Sequence, residues 1–239
     1  LLGFTRALRT LLADDGWLSI EVHHAGNLVE FAQFDTIYHE HFQYYTVASA
    51  ARALATAGLR VVDVEAIPTH GGSIRLWARP VGVAGEEQST RMSELLAKEE
   101  RADLHDVSGY AGLQRRVEQL RQDLLRLLLD YRAAGKRVVA YGATGKGNTL
   151  LNYCGFRTDL FEYTVDRNPY KHGKFSPGAR IPIHPVDRIS KDRPDVIVVL
   201  PWNLEAEITA QLSYTGEWGA QLVYPLPELH VVAAEGHLS

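Results

Sequence analysis

The rear of the chain constrains the fold most, because short apolar runs alternate there with helix-length segments. Arg137 to Tyr141, Phe161 to Val165, Asp195 to Leu200 and Gln221 to Pro225 read as four strands. The first runs into a glycine-rich turn, Gly142 to Gly147, and then into a helix starting at Asn148 to Tyr153. Strands spaced this way predict a parallel sheet covered on both faces. Ahead of them, Leu113, Val117, Leu120, Leu124, Leu127 and Tyr131 repeat at three and four, which predicts an amphipathic helix from Leu113 to Arg132 ended by Gly135.

The front half is mixed. Residues 1 to 13 predict a helix with Leu1, Leu2, Leu8, Leu11 and Leu12 on one face, closed by Asp14-Asp15-Gly16. Trp17 to Val22 reads as a buried strand, and Thr46 as the N-cap of a helix from Val47 to Ala57 stopped by Gly58. Leu59 to Ala66 and Ser73 to Arg79 read as strands flanking the turn Pro68-Thr69-His70-Gly71-Gly72, and Glu86 to Glu100 as a helix. The chain opens Leu-Leu-Gly-Phe and holds a single methionine, Met92, so it reads as the rear portion of a longer polypeptide.

Bulk composition narrows the function. A formal charge of −4 argues against a general nucleic-acid binder. The single cysteine, Cys154, rules out an internal disulfide framework and a cysteine zinc site, and points to a reducing cytoplasm. No apolar run approaches the roughly 18 residues that span a bilayer, and no signal peptide is visible.

Chemistry concentrates at Tyr38-His39-Glu40-His41, a phenol, two imidazoles and a carboxylate in succession, with Asp35, Tyr44 and Tyr45 close by. The run has neither strand alternation nor a helical stripe, so it reads as a loop suited to proton transfer. In the alternative, Phe34, Ile37, Phe42 and Tyr45 pack while the polar members face water. His39 and His41 also have a metal-ligand spacing, with His23, His24 or His70 as further candidates, but no fixed spacing supports a metal.

In the turn Gly142-Ala143-Thr144-Gly145-Lys146-Gly147-Asn148-Thr149 the glycines let amides approach a phosphate, with Lys146 as a point charge. Asp166 stands where an acidic residue often bonds a ribose hydroxyl, about 20 residues further on. The turn is neither a P-loop nor a dinucleotide fingerprint, since Leu150 holds the last glycine position, and a turn needed only for packing is the alternative. The polar loop Asp166 to Lys174 is either a phosphate or sugar grip or a solvated loop. Trp202-Asn203 suits stacking on a ring, or Asn203 caps a helix. Cys154 reads as core.

Together, Asp35-Thr-Ile-Tyr-His-Glu-His-Phe-Gln-Tyr44, His70-Gly-Gly-Ser-Ile-Arg75, Tyr141 to Thr149, Ile181-Pro-Ile and Trp202-Asn203 resemble the sugar C-methyltransferase family. The resemblance covers nearly the whole chain. It implies S-adenosylmethionine-dependent methylation of a carbon next to the ketone of a nucleotide-linked (dTDP) deoxysugar, of the kind found in antibiotic pathways. It implies an α/β fold with residues 1–80 as the rear of a class I methyltransferase domain, 81–135 as a helical connector and 136–239 as a Rossmann-like domain. The zinc-binding cysteine cluster and the S-adenosylmethionine loop would precede Leu1.

By this resemblance Tyr38, Glu40 and His41 carry catalysis, with His41 as base, Glu40 orienting it or itself the base, and Tyr38 donating to the enolate. Substrate contacts fall on His70, Arg75, Gly142, Gly145, Lys146, Gly147, Asn148, Asp166, Lys171, Trp202 and Asn203, joined by His39, for which a structural role is the alternative. The competing classes are an NAD(P)-dependent oxidoreductase built on the rear sheet and a nucleotide-binding module without catalysis. No nucleic-acid or membrane partner is expected, and the sequence sets no oligomeric state.

Overall fold

A computed structural model describes residues 1–83 and 87–234, with His70 described by its backbone alone. The chain divides into two compact units, Leu1–Glu30 with Phe42–Leu113, and Phe31–His41 with Gln114–Ser239.

The first unit carries helix α1 (Leu2–Leu11), strand β1 (Leu18–His23), helices α2 (Ala25–Glu30) and α3 (Val47–Ala55), strands β2 (Leu59–Ile67) and β3 (Ser73–Pro80), and helix α4 (Thr90–Arg101). Its sheet runs β1-β3-β2 with both pairings antiparallel. The Thr46 cap forms as predicted. Ser49 N–H donates to Thr46 Oγ1 at 3.0 Å, and Thr46 N–H donates to Ser49 Oγ at 3.0 Å. Gly58 follows at φ +74°, which an L side chain rarely adopts. The core joins Val47 and Leu54 of α3 to Leu59, Ile74 and Leu76 of the sheet.

Three expectations change here. β1 is half-buried and alternating, not a buried strand, because it lies at one end of the sheet, and Trp17 is exposed. In α1 the packed positions are Thr5, Leu8 and Leu12, spaced at three and four, while Leu1, Leu2 and Leu11 stand exposed outside that stripe. The fourth helix starts at Thr90 behind a Ser89 cap that accepts Met92 N–H at 3.1 Å, and the expected start at Glu86 lies outside the described residues. From α4, the buried Glu99 reaches the start of α3, where it accepts Val47 N–H at 2.6 Å and Ala48 N–H at 3.3 Å, and it pairs with His24 Nε2 at 2.9 Å.

The second unit opens with nearly all of helix α5 (Leu113–Ala133) and continues β4 (Val138–Tyr141), α6 (Gly145–Cys154), β5 (Thr164–Val165), β6 (Ile183–His184), α7 (Arg188–Asp192), β7 (Val196–Val199), α8 (Glu205–Gln211), β8 (Gln221–Tyr224) and β9 (His230–Ala233). The sheet order is β6-β5-β4-β7-β8-β9, parallel throughout except for β9. Every residue of β4 and β7 is buried, as an internal parallel strand covered on both faces requires. The expected parallel sheet is therefore present. The two-residue β6 and the antiparallel β9 extend it beyond the four strands anticipated. In α5 the buried stripe is Val117, Leu120, Leu124 and Leu128, so Leu128 replaces Leu127 at the rear.

The turn after β4 is shorter than its glycines suggest. Thr144 caps α6 by accepting Gly147 N–H at 3.0 Å, so Gly145, Lys146, Gly147 and Asn148 are helical and only Gly142-Ala143-Thr144 is turn. Gly142 holds φ +92°, and a Cβ there would come 2.6 Å from Pro201 Cδ. A Cβ at Gly147 would come 2.8 Å from Leu200 Cβ, so α6 presses directly on the end of β7. Gly147→Ala is expected to lower stability by about 1–3 kcal/mol through that clash, read as a fall in the urea midpoint at constant m-value.

Candidate active site

The segment Phe31–His41 packs with the second unit. Phe34, Asp35 and Thr36 form one 3₁₀ turn, and a second turn closes where His41 N–H donates to Tyr38 O at 3.0 Å. Phe34 packs its ring on Tyr153 of α6 at 4.9 Å between centroids. Ile37 and Phe42 are exposed, so the packing alternative holds for Phe34 but not for them.

Asp35 instead is fully buried. Its Oδ2 accepts the indole N–H of Trp202 at 2.7 Å, and among the described residues its buried Oδ1 has no hydrogen-bond partner. Burial pushes this carboxyl up to about 6, against the Trp202 hydrogen bond and the charge of Lys146. Lys146, in the first turn of α6, is buried with Nζ 5.0 Å from the centre of the Trp202 ring and 3.4 Å from Asn203 Oδ1. Burial lowers its pKa, and Asp35 opposes that shift.

Tyr38 and His41 stand together, their rings 4.2 Å apart and tilted by 40°. His41 Nδ1 lies 2.7 Å from the Thr36 carbonyl oxygen. A carbonyl can only accept, so Nδ1 carries the proton and Nε2 is the basic nitrogen of the neutral ring. Tyr38 lies over the start of α6, where a Cβ on Gly145 would come 3.3 Å from its Cζ. Burial raises the phenol's pKa, helped by the charges of Glu40 and Asp35, and so keeps it a proton donor. His39 and Glu40 are exposed at the tip of the turn.

Tyr38, His41, Gly145, Lys146, Trp202 and Asn203 are thus gathered in one unit. Gly142, Asp166 and Lys171 form a neighbouring knot that closes on itself. Asp166 Oδ2 accepts Ala143 N–H at 2.7 Å and Lys171 Nζ at 2.9 Å, while Oδ1 accepts Asn168 N–H at 2.8 Å. Burial works to raise the Asp166 carboxyl, and these donors outweigh it, holding it below the usual carboxylate range. Gly147 is buried under Leu200, and Asn148 is half-buried.

Asn203 does not cap α8. It lies within the 3₁₀ turn Trp202–Leu204, one residue too early, and faces Lys146. Arg75 belongs to the first unit, on its sheet, where it pairs with Glu65 at 3.4 Å and approaches Glu21 at 3.8 Å. The side chain of His70 lies outside the described residues. Burial pushes the Cys154 thiol up to about 12, which fits a core position rather than a nucleophile. Among the described residues no group of three His, Cys, Asp or Glu is arranged to hold a metal ion. Asp35, which the sequence marks as a neighbour of the Tyr38–His41 run without a role of its own, gains a partner that the sequence does not disclose, because Trp202 is 167 residues away.

The second unit is thus an α/β layer with a mostly parallel sheet and a Tyr38–His41 ring pair at the start of α6. Residues 68–227 match the family described as C-methyltransferase C-terminal domain. The chain is also 36% identical over 228 residues to the C-methyltransferase NovU of Streptomyces niveus, a span of 95% of this chain and 54% of that protein. The chain belongs to the C-methyltransferase family that its motifs resemble, and it spans about half the length of that curated relative.

Asp35 makes stability depend on pH. Its native pKa, about 6, lies above the ordinary 3.8, so the native state binds the proton more tightly than the unfolded state does. The contribution of Asp35 is then greatest below about pH 4 and falls as pH rises towards 6, by up to about 3 kcal/mol at about 1.4 kcal/mol per unit. Asp35→Asn keeps an acceptor for Trp202 and cannot ionise. Urea unfolding at a series of pH values from 4 to 8 is expected to show the variant gaining on wild type between pH 4 and 6, with a constant difference above.

Proposed function

We propose that this chain supplies the substrate-handling part of an enzyme that methylates the carbon next to the ketone of a nucleotide-linked (dTDP) deoxysugar. The observation that supports this reading best is the His41 ring, oriented through Nδ1 by the Thr36 carbonyl, beside a Tyr38 phenol whose pKa is raised. A carbon becomes nucleophilic towards a methyl group when the proton next to a carbonyl is removed and the resulting enolate oxygen is stabilised. His41 Nε2 takes that proton, and the Tyr38 hydroxyl donates to the oxygen as charge develops. Glu40, exposed one residue before, supports the imidazolium that forms. Since Thr36 already holds Nδ1, its role is electrostatic rather than tautomer-setting.

S-adenosylmethionine supplies the electrophilic methyl group. The turn at Gly142 does not fit that cofactor, because Asp166 already occupies its Ala143 amide and draws in Lys171. The same closure counts against the nicotinamide alternative. Lys146 and Asn203 instead suit the nucleotide handle of the substrate, with Lys171 and the Asp166 loop at its edge, while the Trp202 ring, buried beneath Lys146 with its N–H on Asp35, backs them rather than stacking on a ligand. His39 and Asn148 complete the proposed substrate contacts in this unit, as the family resemblance implies. On the same reading residues 1–80 are the rear of a methyltransferase domain, 81–135 a connector and 136–239 the Rossmann-like domain, working in the cytoplasm. The cofactor loop and any structural zinc would lie ahead of them.

The test uses the full-length protein with a dTDP-4-keto-deoxysugar in deuterated water. His41→Gln is expected to slow both methyl transfer and exchange of the proton next to the ketone by about 10²–10⁴-fold. Glu40→Gln is expected to slow them less. Undiminished exchange in His41→Gln would remove His41 from the role of base.

A further inference from the structure

We propose that Asp35 is the positioning residue of the acid–base turn, tethering it to Trp202 and Lys146 at the carboxyl end of the parallel sheet. The inference rests on the reading of His41 as base and adds the device that aims it. His41 takes its orientation from the carbonyl of Thr36, the residue that follows Asp35. The Asp35 carboxylate joins that backbone to Trp202, which opens the turn after β7. A shift of the Asp35–Trp202 contact therefore shifts the atom that holds the imidazole.

The chemistry of the tether argues for a role beyond holding two segments together. A fully buried carboxyl whose Oδ1 has no side-chain partner among the described residues is costly, and an apolar contact or an amide would join the segments at less cost. The charge has two further effects at the same place. It favours the ammonium form of the buried Lys146, which lies over the Trp202 ring and faces Asn203. It also favours the protonated form of the Tyr38 phenol, the form able to donate to an enolate. Lys146 from α6 and Tyr38 from its own segment are thus the titratable groups coupled to Asp35, and both belong to the proposed site. Costly buried groups persist where function uses them.

The experiment compares Asp35→Ala, Asp35→Asn and Trp202→Phe in the full-length protein. It reads kcat and KM for methyl transfer, and the His41 ring by ¹⁵N-detected NMR without substrate. Asp35→Ala and Trp202→Phe are each expected to lower kcat by about 10–100-fold, with KM for the sugar nucleotide changed by less than about threefold. Both should weaken the protonated Nδ1 signal of His41, and the double variant should be no worse than the poorer single one. Asp35→Asn, which retains an acceptor for Trp202, should recover part of kcat and most of the His41 signal.

If Asp35→Ala does not fold, Trp202→Phe removes the same hydrogen bond and decides the matter. Wild-type kcat together with an unchanged His41 signal in Trp202→Phe would overturn the proposal, as would lost thermal stability with kcat per folded molecule intact. Because the NMR signal needs no turnover, loss of the tether and failure of His41 as base are told apart: the second shows as an active His41→Gln protein.

Discussion

The second unit depends on how closely helix α6 approaches the end of strand β7. Gly147 leaves no room for a methyl group against Leu200, and Gly142 none against Pro201. With that approach made, Lys146 is carried into the protein rather than into solvent and comes to rest over Trp202. Asp35 then takes the indole N–H at the edge of the ring, and the turn bearing Tyr38 lies against the start of the helix. Parallel sheets open their crevices at the carboxyl ends of the strands, and this arrangement puts reactive groups there without recruiting the phosphate-binding geometry those ends often carry.

Two buried carboxylates in this chain show how differently burial can be used. Glu99 in the first unit meets two amides at the start of α3 and the ring of His24, so its burial closes a helix end and fixes a fold. Asp35 meets one indole and leaves its second oxygen without a partner among the described residues. The first arrangement resembles a capping device at long range, one carboxylate meeting two amides at the open end of a helix. The second leaves burial only partly offset, so the carboxyl is raised to about 6.

What the sequence disclosed followed from locality. Thr46 and Gly58 bracket α3 because a cap and a positive φ are decided within a few residues. The stripe of α5 and the buried runs of β4 and β7 declare themselves through periodicity and length. β6 escaped notice because two residues between polar loops make no pattern, and they become a strand only by pairing with β5. The start of α6 was misplaced because glycine suggests a turn, whereas Gly145 and Gly147 are tolerated in a helix where close packing requires them. Tyr38 and His41 stand out in the sequence as a phenol and an imidazole three residues apart, and the structure brings their rings together. The value of Asp35 does not show in the sequence, since it lies in a contact between residues far apart in the chain.

The seat of Tyr38 on Gly145 has an evolutionary consequence. A glycine at the start of α6 invites a search for phosphate, yet what lies against it is a ring from the same protein. A methyl group there would press on the ring by a few tenths of an ångström, so the two positions are coupled by shape. A lineage that exchanged the aromatic for something smaller would drift to alanine on the helix more easily than one that kept the ring. Paired variation between these sites would then be a record of a steric partnership, not of a nucleotide motif slowly decaying.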